Sequence, residues 1–282
     1  MDDTLATPLS PGAATVPPRK HPRRRTRVFA ALRRVLVAPG FVLAIWVANL
    51  LAAKLLAGPG RAAARAGMRD WTWFDDGHRI RAVVELLADE PAIAAAISSS
   101  VVSAAVVAGI FSLLAAPAIL TRLDGQRSLA WIVGAVGREL PAMLVQTGYS
   151  LVIRAVCLGL AGACAAGLGP RALPLILLLV SFPVLALDRA RAAVVLDDAR
   201  PYHPMTMLRA VGHVALRPLW WLSGTVIETL KLGVVIAALL LLIEAGPSPI
   251  SIWVARAAGL AAVILSLWRV ALAVEDRGAN AP

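Results

Sequence analysis

Between residues 218 and 243 the chain carries only two charged residues, Glu228 and Lys231, in a stretch built from leucine, valine, isoleucine and alanine. A run of about 20 apolar residues is long enough to cross a hydrocarbon core of roughly 30 Å as a helix. Comparable runs fall at residues 35–56, 92–120, 141–168, 173–187 and 250–273, separated by Gly- and Pro-bearing breaks such as Gly58-Pro59-Gly60, Gly169-Pro170-Arg171 and Gly246-Pro247-Ser248-Pro249. In lipid every backbone amide must be satisfied within the protein, so runs of this composition fold as helices. The sequence therefore predicts an all-α, polytopic helical membrane protein with about six transmembrane helices.

Composition agrees with that reading. A chain of 282 residues that is 59% hydrophobic and 16% charged, with mean hydropathy +0.75, is too apolar for a soluble domain of its size. The net charge of +11 would suggest nucleic acid in a soluble protein. Here the basic residues flank apolar runs, where they set topology, so nucleic acid is excluded as a partner. Lys and Arg concentrate on the side holding both termini, which the positive-inside rule assigns to the cytoplasm of a bacterial inner membrane. The Pro-rich, basic arm of residues 1–27 has no apolar core behind it, so it is read as a cytoplasmic arm touching anionic lipid headgroups rather than a secretory signal.

The runs are organised by repetition. Arg191 to Asp198, RAAVVLDD, returns as Arg269 to Asp276, RVALAVED, and Ala135-Val136-Gly137 before Pro141 returns as Ala210-Val211-Gly212 before Pro218. Pro141 and Pro218 are 77 residues apart, and Asp198 and Asp276 are 78 apart. A constant offset marks a duplicated unit, read as an amphipathic entry segment, a membrane hairpin and a charged exit. The hairpins are placed at 28–124, 125–198 and 199–276, the first as a diverged copy with an outer amphipathic insertion at 59–91, and 277–282 as a tail. Serines 98, 99, 100 and 103, set among alanines, predict a closely packed helix face.

From Asp188-Arg189-Ala190-Arg191 through Val194, Val195 and Asp197-Asp198, and on into an amphipathic segment and Pro218, the chain resembles a broad group of bacterial six-helix membrane proteins. It is similar in this to the membrane domain attached to some glycerophosphodiester phosphodiesterases. The resemblance covers the second and third hairpins better than the first. It implies a multi-pass helical domain with amphipathic segments between hairpins, and it carries no catalytic residues onto this chain.

Chemistry must then be sought in charges within the runs, where an ionisable group is expensive and faces other helices, water or a partner. Arg154, Glu228 and Lys231 stand out. Glu228 and Lys231 are three apart and share a helix face, and Arg154 occupies the place in the repeat equivalent to Lys231. They are the candidate binding residues of an intramembrane polar centre. The exits, Arg191 with Asp197 and Asp198, and Arg269 with Glu275 and Asp276, are the candidate docking residues for a membrane or cytoplasmic protein partner. No HExxH, GxxxxGK[ST], paired CxxC or GxSxG occurs, the four histidines lack ligand spacing, and Cys157 and Cys164 lie about two helical turns apart. No catalytic residue, metal site or cofactor is assigned. The first reading of function is an accessory or scaffolding membrane subunit; the alternative is a transporter or lipid-handling permease using Arg154, Glu228 and Lys231.

Overall fold

The computed structural model describes residues 24–56, 62, 85, 88–125, 128–197, 199–245 and 248–277. The amphipathic insertion at 59–91 lies almost wholly outside the described residues, as do Asp198, residues 278–282 and the basic arm apart from the backbone of its last residues. The described residues form eight α-helices: α1 (Arg24–Leu36), α2 (Pro39–Leu56), α3 (Pro91–Leu123), α4 (Leu129–Leu168), α5 (Leu173–Leu196), α6 (Pro204–Ala215), α7 (Pro218–Ala245) and α8 (Pro249–Arg277), with a 3-10 turn at Gly169–Ala172. No strand occurs among the described residues. The protein is an all-α helical membrane protein. Four stretches are long and apolar enough to cross a bilayer, or five with the α1–α2 pair, which bends by 77°.

The helix boundaries follow from local chemistry. Pro39, Pro91, Pro204, Pro218 and Pro249 open their helices, where a missing N–H costs nothing. Ser248 and Ser251 cap α8 reciprocally, each hydroxyl accepting from the other's backbone N–H at 3.1 and 3.0 Å. Gly125 and Gly169, at φ of 109° and 57°, take up positive-φ conformations that a side chain disfavours, just beyond the ends of α3 and α4.

Most of the apolar side chains on these helices face outward. Only 6% of the apolar 18-residue window within Pro218–Ala245 and 11% of that within Ala130–Leu196 is buried inside the protein. Surfaces like these would be large exposed patches in water and are the solvated face of a protein in lipid.

Packing is instead concentrated at the end of the bundle that receives α1 and the end of α8. Ala31, Val35 and Ala38 form the buried stripe of α1, and the Trp268 indole donates to Val28 O at 2.9 Å. Met207, Ala210 and Val214 form the equivalent stripe of α6, seated on Leu185, Ala186 and Ala190 of α5. Helical spacing of apolar residues in otherwise polar segments is what lays both helices across the bundle end.

Two expectations are revised. The segment before Pro141 does not form a separate entry helix: α4 runs through Pro141 unbroken, with Ala142 and Met143 fully packed beyond it. One missing hydrogen bond in a 40-residue helix is offset by burial on either side. The serine cluster does not form a packed face either, since Ser98, Ser99 and Ser103 are exposed in the first turns of α3.

The close helix approach occurs elsewhere, at Gly224 of α7. A Cβ there would overlap Leu185, at 2.8 Å from Cδ1 and 3.1 Å from Cγ, and Leu185 is itself enclosed. Small residues permit such approaches where apolar burial alone gives helices no reason to associate. Beside this contact Ser181 and Thr225 share a hydrogen bond of 2.6 Å, and the Trp221 indole donates to Leu178 O at 3.2 Å, near Pro183. Gly224→Val is expected to cost about 1–3 kcal/mol by overpacking. Gly233→Val, on the same helix with open space around it, should cost little. Thermal unfolding of both variants in detergent checks the contrast.

Candidate functional site

Three packed helices, α5, α7 and α8, bring their charges together. Asp188 and Arg191 lie three apart on α5, Glu228 and Lys231 three apart on α7, and Arg269 faces both from α8. Arg269 donates Nε–H to Asp188 Oδ2 at 2.6 Å and Nη1–H to Glu228 Oε1, so its planar fork bridges carboxylates on two other helices. Lys231 Nζ pairs with the other Glu228 oxygen, Oε2, at 2.6 Å. The Asp188 and Arg269 side chains keep only 6% and 12% of their exposure, so each depends on the other for the polar contacts that burial removes.

Arg191 is not matched in this way. Its Nη2 donates to Thr147 Oγ1 of α4 at 3.0 Å, a neutral acceptor, while its buried Nε has no hydrogen-bond partner. The charges that bear on it are those of Asp188, Arg269 and Arg154. Arg154 also has a buried Nε without a partner and forms no ion pair among the described residues. The centre thus holds four cations, Arg154, Arg191, Lys231 and Arg269, against two carboxylates, Asp188 and Glu228. Both acids are already engaged, which leaves a surplus of two positive charges on Arg191, Arg154 and the outer side of Lys231.

A cavity of about 430 Å³ opens onto Arg191 and Lys231, while Arg154 does not line it. Asp188, Arg191, Lys231 and Arg269 form its polar end, and the rest is lined from α2, α3, α7 and α8 by Ile45, Phe111, Ile119, Val235, Val263 and Leu267, with Asn49, Ser112 and Ser266 as the other polar groups. Its volume lies in the range of small-molecule sites, and its make-up, mostly apolar with a few convergent polar groups, is the usual one for such sites.

The residues expected at the centre and at the exits are redistributed. Glu228 and Lys231 pair with each other, but Arg154 pairs with neither, and its charge bears on Arg191. Arg191 and Arg269, assigned from sequence to a cytoplasmic docking surface, turn inward and build the centre. Glu275 pairs with Arg34 of α1, which also donates to Leu123 O at 2.8 Å. Asp276 accepts from Arg217 at 2.7 Å and contacts the His213 ring of α6, and Asp197 lies 3.6 Å from Arg189. Glu275 and Asp276 fasten the surface helices to the bundle end, whereas Asp197 pairs within the end of α5. Asp198 lies outside the described residues.

Asp188 was not singled out from sequence as part of the centre, although its spacing of three from Arg191 put both on one face. The comparison with known proteins adds no assignment. No family model, curated protein or solved structure matches the chain. The arrangement must be read from its own chemistry. Buried, pre-oriented cations with unused donors beside a largely apolar cavity can hold an anion.

Proposed function

We propose that this protein binds an anionic ligand at the charged centre and acts as a transporter or lipid-handling permease of the bacterial cytoplasmic membrane. The observation that carries the reading is the cavity against Arg191, Lys231 and Arg269, where Arg191 has no carboxylate in contact. A structural ion-pair cluster joining helices would be charge-matched. This one is not, and it borders a cavity, which favours a permease over the accessory subunit that the sequence suggested first.

The proposed topology has six passages with both termini in the cytoplasm. The stretch from Ala130 to Leu196 is too long for one crossing and folds back at Gly169–Ala172, with Ser150 on α4 donating to Pro183 O on α5. Counting its two arms separately, together with the bent pair, supports six. The offset repeats of sequence support hairpins as the unit of construction, and the basic arm supports contact with anionic headgroups. Sites at the interface of repeated units, near charges within the membrane, are a recurring plan among transporters.

An accessory role is the second reading, favoured by a separate, polar cavity of about 660 Å³ on the bundle end, where Arg189, Arg200, Arg209 and His203 surround the start of α6. An acidic segment of a partner would fit that surface. Native mass spectrometry of protein released gently from its host membrane separates the two. Retention of a discrete anionic molecule, reduced about tenfold in Lys231→Met, is expected; a co-purifying polypeptide at fixed stoichiometry with no bound anion would overturn the permease in favour of the subunit.

A further inference from the structure

We infer that the polar cleft at the bundle end binds the phosphate of an anionic phospholipid, held by Arg200 and Arg209 while Met205, Leu208 and Leu216 sit among the acyl chains beside it. The inference does not depend on the central cavity.

The segment that builds the cleft is fixed at the membrane surface by its two ends. It leaves α5 after Leu196 and enters α7 at Pro218, and both helices belong to stretches long and apolar enough to cross a bilayer. α5 has 24 residues and α7 has 28, roughly 36 and 42 Å of helix, against a hydrocarbon core of roughly 30 Å and a bilayer of roughly 40–45 Å with its headgroup layers. A connection between two such ends lies at headgroup level, where lipid phosphate is always at hand.

Charge selects the anion. Residues 199–217 contain Arg200, Arg209 and Arg217 and no aspartate or glutamate. Asp276 accepts from Arg217, whereas Arg200 and Arg209 are exposed, line the cleft of about 660 Å³ and form no ion pair among the described residues. Arg189, also in the lining, has the lining acid Asp197 at 3.6 Å. Asp198 lies outside the described residues, and its charge, set in full against Arg200 and Arg209, still leaves one positive charge. A phosphodiester carries one negative charge, and guanidinium groups hold phosphate oxygens through paired N–H donors.

The backbone carrying the first of these arginines is set beforehand. Arg200 O accepts from Thr206 Oγ1 at 2.8 Å, which ties the turn to α6, and the fully buried Gln146 of α4 donates Nε2–H to Pro201 O at 2.7 Å. A turn held in this way loses little freedom when a ligand arrives.

Apolar side chains beside the cleft distinguish a lipid from other anions. The face of α6 opposite its Met207–Ala210–Val214 stripe exposes Met205 and Leu208, and Leu216 follows as the C-cap, also exposed. An amphipathic helix at the boundary between headgroups and acyl chains buries such residues and is drawn to anionic lipid by its cations. A soluble phosphate or an extended acidic segment satisfies the arginines and leaves these three side chains in water; a lipid satisfies both.

The test uses the full-length protein in nanodiscs of phosphatidylcholine containing a minority of phosphatidylglycerol, with the lipid retained by the ejected protein read by native mass spectrometry. Retention of phosphatidylglycerol should fall about tenfold in Arg200→Gln/Arg209→Gln, and by the same factor whether or not Lys231→Met is also present, since the central cavity is a separate site. Leu208→Ser/Leu216→Ser, also at exposed positions, should lower it about tenfold. Glycerol phosphate, added as the soluble headgroup, should not displace the lipid. Displacement by glycerol phosphate, with the leucine variant silent, would overturn the lipid in favour of a soluble phosphate. Undiminished retention in the arginine variant would overturn the cleft as the site. An acidic polypeptide that co-purifies from host membranes, excludes phosphatidylglycerol and is lost in the arginine variant would overturn the lipid in favour of a protein partner.

Discussion

Arg269→Met is expected to be the most damaging single substitution at the charged centre, lowering the free energy of unfolding by about 3–5 kcal/mol. Methionine keeps most of the side-chain volume but removes both donors of the fork. Asp188, 6% exposed, then loses its 2.6 Å partner and is left as a carboxylate facing Arg191 without contact. Glu228 still has Lys231. The mirror substitution, Lys231→Met, should cost far less, because Glu228 keeps Arg269. The asymmetry is the informative part: both residues are cations beside the same acid, yet only one bridges two helices. Thermal unfolding in a mild detergent measures it. Adding Asp188→Asn to Arg269→Met should recover part of the loss, since the second change removes the uncompensated charge, and the recovery is an interaction free energy of the kind contacting residues show.

Asp276→Ala should have the second largest effect and a different signature. Asp276 is almost fully buried at the end of α8 and holds Arg217, just ahead of α7, and His213, in the last turn of α6. Hydrogen bonds to charged groups contribute about 1.5–3 kcal/mol each, but Arg217 is partly exposed and regains water when released, so a loss of about 2–3 kcal/mol in all is expected. Because the membrane helices do not depend on these contacts, the loss should be local. Limited proteolysis should speed up around residues 199–217, with little change in the core between α7 and α8. Uniform acceleration along the chain would show instead that the bundle end and the bundle unfold together.

What could be read from sequence, and what could not, divides along one physical line. Spacing within a helix fixes which residues share a face, and on that basis the Glu228–Lys231 pair was visible, as the Gly-Pro break made the turn at Gly169 visible. Spacing says nothing about which faces of different helices meet. Arg269 and Asp188 are 81 residues apart and look like ordinary helix-end charges until α5, α7 and α8 are packed together. For the same reason the repeat signal led two ways. Arg191 and Arg269 are equivalent in the sequence, but in the fold one bridges two carboxylates and the other has only a threonine hydroxyl. The serines of α3 and the proline of α4 were misread because local preference was allowed to stand for packing: small residues permit a close contact without creating one, and Pro141 weakens a helix that the surrounding burial maintains.

The unmatched charge on Arg191 is the claim on which the rest depends, and ligand-induced stabilisation tests it most directly. A ligand bound only by the folded state adds about 2.7 kcal/mol at a hundred times its dissociation constant. With Arg200 and Arg209 replaced by glutamine to silence the surface cleft, protein in nanodiscs of zwitterionic lipid should therefore show a rise in its unfolding midpoint as phosphatidic acid is introduced, and the same protein carrying Arg191→Gln should show almost none. An equal rise in both proteins would mean that the anion acts elsewhere on the surface, and the account of the charged centre as a binding site would be wrong.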